Sequence, residues 1–176
     1  MDYFIMQQDQ RIFHKLQFLS PVKSENRIAE QMIHTPETII IYVKENRCNE
    51  YPGYIEAPMK LIPQRIKRII GKYQPDIIFK PVILIEKAKN RQEEYYAMNI
   101  PAIECASETS TRDALGNVKE FVLDEEKVRN SRIFLAKDYG NQLLIRLDVA
   151  ESILRREAYG IWLKKVNIRK RGKEDE

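Results

Sequence analysis

Histidine, cysteine and glycine are scarce in this chain, and each shortage removes a class of function. There are two histidines, His14 and His34, and two cysteines, Cys48 and Cys105, among 176 residues. Neither histidine has a partner at the spacing of a known metal motif, and neither cysteine has a nearby Cys or His. Two cysteines are too few for a secreted disulfide framework, so both are expected to be reduced thiols. The six glycines form no Gly-x-Gly-x-x-Gly, and Gly71-Lys72 runs into Tyr73 rather than Ser or Thr, so no phosphate-cradling loop is present. No cofactor motif of any other kind is found. The longest aliphatic and aromatic run is Ile39 to Val43, far short of the ~20 residues that cross a bilayer. The start, Met1-Asp2-Tyr3-Phe4, has no basic stretch ahead of an apolar one, which argues against a signal peptide and for a cytoplasmic protein.

What is present is enough for a core. Hydrophobic residues make up 43% and charged residues 32%, a composition that can offset the entropy of ordering a chain. The length suits one domain, 1–176. The net charge of +4 gathers near the end, where Lys164, Lys165, Arg169, Lys170, Arg171 and Lys173 precede Glu174-Asp175-Glu176. Residues 168–176 are expected to form a flexible, solvated tail.

Periodicity predicts strands at Tyr3–Gln7, Thr38–Lys44, Asp76–Phe79, Pro81–Ile85, Glu94–Cys105 and Val118–Leu123. A short helix is expected over Glu25–Ile33, and Ser107–Asp113 reads as a loop. Apolar residues at 62, 66, 69 and 70 mark one face of a helix that tolerates Pro63 in its first turn and stops at Gly71. Asp124 should cap a helical turn, and Ile133–Ala136 with Leu143–Leu147 should form a hairpin across Asp138-Tyr139-Gly140-Asn141. A second helix, capped by Asp148 and running to Arg156, precedes Gly160 and a strand at Ile161–Leu163. An offset of 84 residues lays Ile69-Ile70 on Ile153-Leu154 and Ile78–Val82 on Trp162–Val166, so strand, helix and strand recur. The fold class is α+β: a mixed, mainly antiparallel sheet with two or more helices on one face and an internal pseudo-repeat. The helices should cover one side of the sheet and leave the other, with its loops, for an interface.

Catalytic chemistry is hard to assemble. Cys105 reads as a small buried hydrophobe. The enzyme alternative is a small hydrolase or transferase in which Cys105, or a serine of the Ser107–Ser110 loop, is activated by His14 or His34. No Gly-x-Ser-x-Gly or Ser-x-x-Lys motif supports it. Nucleic acid is disfavoured as a partner: Arg65, Lys67, Arg68, Lys72, Arg155 and Arg156 decorate two amphipathic helices, without a recognised binding motif. Protein binding fits better, because the chain has nine tyrosines and one tryptophan, side chains that anchor interfaces. Tyr95, Tyr139, Tyr159 and Trp162 are the candidate contacts.

The C-terminal third resembles a family of bacterial immunity proteins from polymorphic toxin systems. The residues that carry the resemblance are Ser131-Arg132-Ile133-Phe134-Leu135, Gln142-Leu143-Leu144-Ile145, the helix from Asp148 and Gly160-Ile161-Trp162-Leu163-Lys164-Lys165-Val166. Tyr3-Phe4-Ile5 and Ile103–Ser107 look like the same family's sheet. The resemblance implies an antidote that binds a cognate toxin domain and catalyses nothing. The mildly basic charge suits an acidic or apolar toxin surface better than a basic nuclease.

Overall fold

In the computed structural model, which describes residues 1–19, 38–116, 118–156 and 159–169, alternation along the strands decides the layering. The strands are β1 (Tyr3–Gln8), β2 (Ile39–Tyr42), β3 (Leu61–Pro63), β4 (Ile78–Glu86), β5 (Arg91–Asn99), β6 (Ala102–Ile103), β7 (Thr111–Arg112), β8 (Val118–Glu120), β9 (Val122–Asp124), β10 (Ile133–Ala136), β11 (Gln142–Arg146), β12 (Ile161–Lys165) and β13 (Asn167–Arg169). The α-helices are α1 (Gln64–Tyr73), α2 (Glu125–Val128) and α3 (Leu147–Leu154). The fold is α+β, and among the described residues no helix is long and apolar enough to cross a membrane.

One sheet has the order β12-β1-β11-β10-β6, antiparallel except for β10 with β6. The other has the order β2-β4-β5-β3, antiparallel except for β2 with β4. The pairs β9 with β13 and β7 with β8 stand apart from both. Within each large sheet lies the same split β-α-β unit. β3 leads into α1 and returns as β4, with β5 antiparallel between the two strands. β11 leads into α3 and returns as β12, with β1 between them. The strand–helix–strand recurrence read from the sequence is therefore a recurrence of topology.

The two helices pack together over one core. Ile66, Ile69 and Ile70 of α1 and Val149, Ala150 and Ile153 of α3 join Met6, Ile62, Tyr96, Ile133, Leu143 and Ile145 in a single buried cluster. Each fully buried isoleucine contributes about 1.5–3 kcal/mol. The Tyr73 hydroxyl meets Ser152 Oγ at 2.6 Å across the helix pair. Alternate strand residues point the other way and are buried as well. Tyr3, Ile5, Phe134 and Leu144 pack with Cys105, Leu123, Val128 and Val166, while Val82, Leu84, Tyr95 and Ala97 pack with Ile41, Val43, Ile55 and Met59. The open sheet face expected to carry an interface is thus covered.

Several boundaries differ from expectation for identifiable reasons. α1 passes through Gly71 to Tyr73; Pro75 ends it, since a residue before proline avoids helical backbone and Gln74 is extended at φ −144° and ψ 85°. Asp148 is not the cap of α3. The helix begins at Leu147, and Asp148 lies in its first turn, paired with Arg146. The long strand expected over Glu94–Cys105 breaks at Ile100-Pro101, where the chain leaves one sheet and β6 joins the other. Asp76–Phe79 and Pro81–Ile85 merge into β4, because Pro81 precedes the ladder with β2, which begins at Val82. Val118–Leu123 divides into β8 and β9, and the Ser107–Asp113 loop contains β7. The tail expected from residue 168 is paired through Arg169 by β13. The helix predicted over Glu25–Ile33, His34 and residues 170–176 lie outside the described residues.

Candidate functional site

Two of the four predicted contact residues come together at one corner of the molecule. The turn after α3 delivers Tyr159 and Gly160 to the start of β12, where Trp162 sits on the sheet's edge strand. Backbone bonds pin this turn from both sides. The Asp9 N–H donates to the Gly160 carbonyl at 3.0 Å, and the Gly53 N–H donates to the Tyr159 carbonyl at 2.7 Å. Gly160 has φ +76°, so only a residue without Cβ reaches this geometry without strain.

Side chains from the loop after β1 complete the corner. The Arg11 guanidinium donates to both Asp9 carboxylate oxygens at 2.7–3.1 Å and lies 4.9 Å from the centre of the Trp162 ring. Those hydrogen bonds hold the Asp9 carboxyl below its ordinary pKa. Glu50 accepts from the Tyr159 hydroxyl and from the His14 N–H. Tyr159 remains 51% exposed and Trp162 47%, and Phe13, on the same loop as Arg11 and His14, is 91% exposed. Large aromatic rings held at an exposed edge, one beneath a guanidinium, can bury much area on a partner at a small entropic cost.

The other two predicted contacts are elsewhere. Tyr95 is 2% exposed, its hydroxyl donates to the Pro52 carbonyl at 2.7 Å, and burial pushes its pKa up. It is a core residue, because its place in β5 turns it toward Val82 and Leu84. Tyr139 stacks on Phe121, with ring centres 4.5 Å apart and planes within 6°, at the edge of another core cluster. Neither side chain is displayed as Tyr159 and Trp162 are.

Cys105 lies beside a cleft of about 410 Å³ lined by Ser107, Ser110, Lys127 and Asp138, among others. Asp138 organises it. One carboxylate oxygen accepts the Ala106 N–H at 2.6 Å, and the other takes the Cys105 thiol at 3.6 Å. Lys127 donates to the Ala106 carbonyl at 2.9 Å. Burial, followed by the neighbouring Asp138 charge, pushes the Cys105 thiol up to about 12. A thiol in that environment holds its proton at neutral pH and is a poor nucleophile. The loop hydroxyls are engaged locally: Ser107 with Thr109, and Ser110 with the Val122 backbone. His14 is bonded to Glu50 through its backbone, at the aromatic corner. Among the described residues, no group of three or more His, Cys, Asp or Glu side chains is placed to hold a metal ion.

Arg11, Phe13 and Glu50 carry no signal in the sequence, and Asp138 reads there only as a turn residue. Arg11 and Phe13 fall in an unpatterned stretch, and Glu50 and Asp138 act across 109 and 33 residues of chain, so no local spacing marks them. No known protein-family model matches the chain, and no curated protein shows significant similarity to it.

Proposed function

We propose that this protein is an immunity protein of the antitoxin kind, which binds a cognate toxin domain and neutralises it by occluding a working surface. The observation that carries the reading is the exposed Trp162 ring beneath Arg11, with exposed Tyr159 three residues before it and exposed Phe13 two residues after Arg11. It lies at the start of the strand whose sequence, Gly160 to Val166, bears part of the family resemblance. Tyr, Trp and Arg are the residue types that dominate binding energy at protein interfaces. The partner that fits is a folded toxin domain with an apolar pocket for the indole and tyrosine rings, since Arg11 is already paired with Asp9.

The test is co-purification of the tagged protein with the large protein encoded beside it, followed by size-exclusion chromatography. A stable complex at moderate salt is expected, together with protection of cells that express the toxin domain. Trp162→Ala should weaken that complex by roughly 30-fold or more, since truncating a central aromatic anchor typically costs at least ~2 kcal/mol. A toxin that kills equally well in the presence of this protein would remove the antidote reading. A complex indifferent to Trp162→Ala and Tyr159→Ala would move the interface away from this corner. The alternative, a hydrolase or transferase built on Cys105 or a loop serine with a histidine, has weaker physical support, because the thiol is buried beside a carboxylate and the loop hydroxyls are bonded locally.

A further inference from the structure

The exposed side of the helix pair carries a second feature, independent of the aromatic corner. Arg65, Arg68 and Lys72 occupy positions i, i+3 and i+7 of α1, so their side chains form one stripe along the helix. Arg156, just beyond α3, faces them across a groove of about 500 Å³ whose floor includes Ile69, Tyr73 and Ser152. All four cations are exposed. Among the described residues, none of them forms an ion pair with a carboxylate. Two nearby acids are engaged elsewhere, Asp148 with Arg146 at 2.6 Å and Glu151 with Arg155 at 3.6 Å, while Glu94 sits at the Tyr96 hydroxyl on the Arg68 side without an ion pair to Arg68. Arg132, whose guanidinium lies 5.8 Å from the centre of the Tyr73 ring, adds positive charge on that side.

A solvated helix face would mix the signs of its charges, because like charges at helical spacing repel. Lys67 has an internal use, lying 3.6 Å from the centre of the Tyr96 ring. The stripe of Arg65, Arg68 and Lys72 has no such internal use. Arg156 donates to the Ser152 carbonyl at 3.0 Å, which directs it back along α3 toward the groove. The paired hydroxyls of Tyr73 and Ser152 add polar atoms at the floor. Guanidinium forks match phosphate oxygens in pairs, and the groove has the volume of a small-molecule site rather than of an extended track.

The geometry points to a binding site between α1 and α3 for a compact polyanion with adjacent phosphate groups, as in an oligophosphate or the polyphosphate of a nucleotide. Such a ligand would bridge Arg65, Arg68 and Lys72 on one helix to Arg156 on the other. It would thereby relieve the repulsion along α1.

The experiment is calorimetric titration of the purified full chain with inorganic tripolyphosphate at about 0.15 M salt, where long-range surface attraction is largely screened. One site per chain is expected, with tripolyphosphate binding more tightly than pyrophosphate and inorganic sulfate weaker than both. Arg68→Ala and Arg156→Ala should each weaken binding by about tenfold or more, and Lys164→Gln on β12 should leave it unchanged. These side chains are exposed, so the variants should keep the native thermal transition, and that control is read on the same samples. ATP binding as tightly as tripolyphosphate would support the site and identify a nucleotide as the source of the phosphates. Tripolyphosphate that binds no better than sulfate, or equally well to Arg68→Ala and Arg156→Ala, would overturn the proposal. So would a single-stranded oligonucleotide that binds more tightly than tripolyphosphate, with a steep salt dependence abolished by the same variants, because the groove would then be part of a nucleic-acid surface.

Discussion

The two split β-α-β units share a topology but are closed in different ways. In the first, the middle strand β5 follows β4 through a short turn at Lys87–Asn90, so the unit is assembled from neighbouring sequence. In the second, the middle strand is β1, and Ile5 pairs with Leu144 and Lys164 from the far end of the chain. The same sheet order therefore carries very different loop-closure costs, because the entropy of joining distant segments must be met before their contacts give any return. The second unit fixes its return turn with backbone bonds from Asp9 and Gly53, while the first fixes its own through Gln74, whose side chain accepts the Ile133 N–H at 3.1 Å.

The severest way to break the second unit is Gly160→Ala. A Cβ there would stand 2.3 Å from Pro52 Cβ and 2.9 Å from Ile12 Cδ1, with the backbone at φ +76°. The turn must move, which separates the Asp9 and Gly53 backbone bonds that hold it. A loss of roughly 4 kcal/mol or more is expected in chemical denaturation, combining overpacking with left-handed strain. A loss under ~1 kcal/mol would show that the corner is far more pliable than its contacts imply. Because Tyr159 and Trp162 flank this glycine, the variant should also weaken any complex made through them.

A sharper comparison uses Ile69→Ala and Ile153→Ala, which occupy matching positions in α1 and α3 within one buried cluster. Each should cost about 2–4 kcal/mol by leaving a cavity. Their kinetics should differ. Because the first unit is closed locally, it is expected to form first, so Ile69→Ala should mainly slow folding, while Ile153→Ala should mainly speed unfolding. Folding and unfolding rates measured against denaturant would show this, and identical partition for the two variants would remove the distinction between the units.

How far this arrangement was legible in the sequence depends on the range of the interaction. The helix faces of Ile66, Ile69, Ile70 and Val149, Ala150, Ile153 follow from spacing alone, as does the hairpin of β10 and β11. The 84-residue offset anticipated the paired topology, because a repeated pattern of burial needs repeated partners. It did not reveal that β1 would complete the second unit, since strand pairing across the whole chain leaves no local trace. The candidate site was half legible. Tyr159 and Trp162 stood out by residue type, but so did Tyr95, and only the β5 register decides that Tyr95 turns inward. Arg11 carries no local signal and Asp138 reads only as a turn residue, because a single charged residue has no assignable role until the fold supplies its partner.

Gly71→Ala tests the first unit in the opposite direction. Gly71 lies in the last turn of α1, and an added Cβ would meet only the Phe79 ring, at 3.7 Å, an ordinary contact. The substitution should stabilise the protein by about 0.5–1 kcal/mol through helix propensity and a less flexible unfolded chain. An upward shift of the denaturation midpoint with an unchanged slope is expected. A loss of stability would mean that α1 and β4 pack too closely at this point to accept even a methyl group.

The smallest effect separates the helix starts. Asp148 lies in the first turn of α3 and accepts two hydrogen bonds from Arg146, at 2.9 and 2.6 Å. The matching position in α1 is Gln64, which carries no charge. The bonds from Arg146 hold the Asp148 carboxyl below its ordinary pKa. A carboxyl depressed in the folded state stabilises fully above its unfolded value of about 3.9, and that stabilisation disappears as the pH falls through the lower folded value. Asp148 is partly exposed, so solvent screens the pair and the contribution is modest. Asp148→Asn should cost about 0.5 kcal/mol at pH 7, from the lost charge at the helix start and the weakened pair. The difference between the variant and the parent should begin to shrink as the pH falls below the ordinary carboxyl range and vanish once the pH passes the depressed folded value. Paired denaturation curves across pH 7 to 2 check this. A gap that persists unchanged at the lowest pH would mean that Asp148 acts through shape and hydrogen bonding alone, and the charge difference between the two helix starts would then have no energetic consequence.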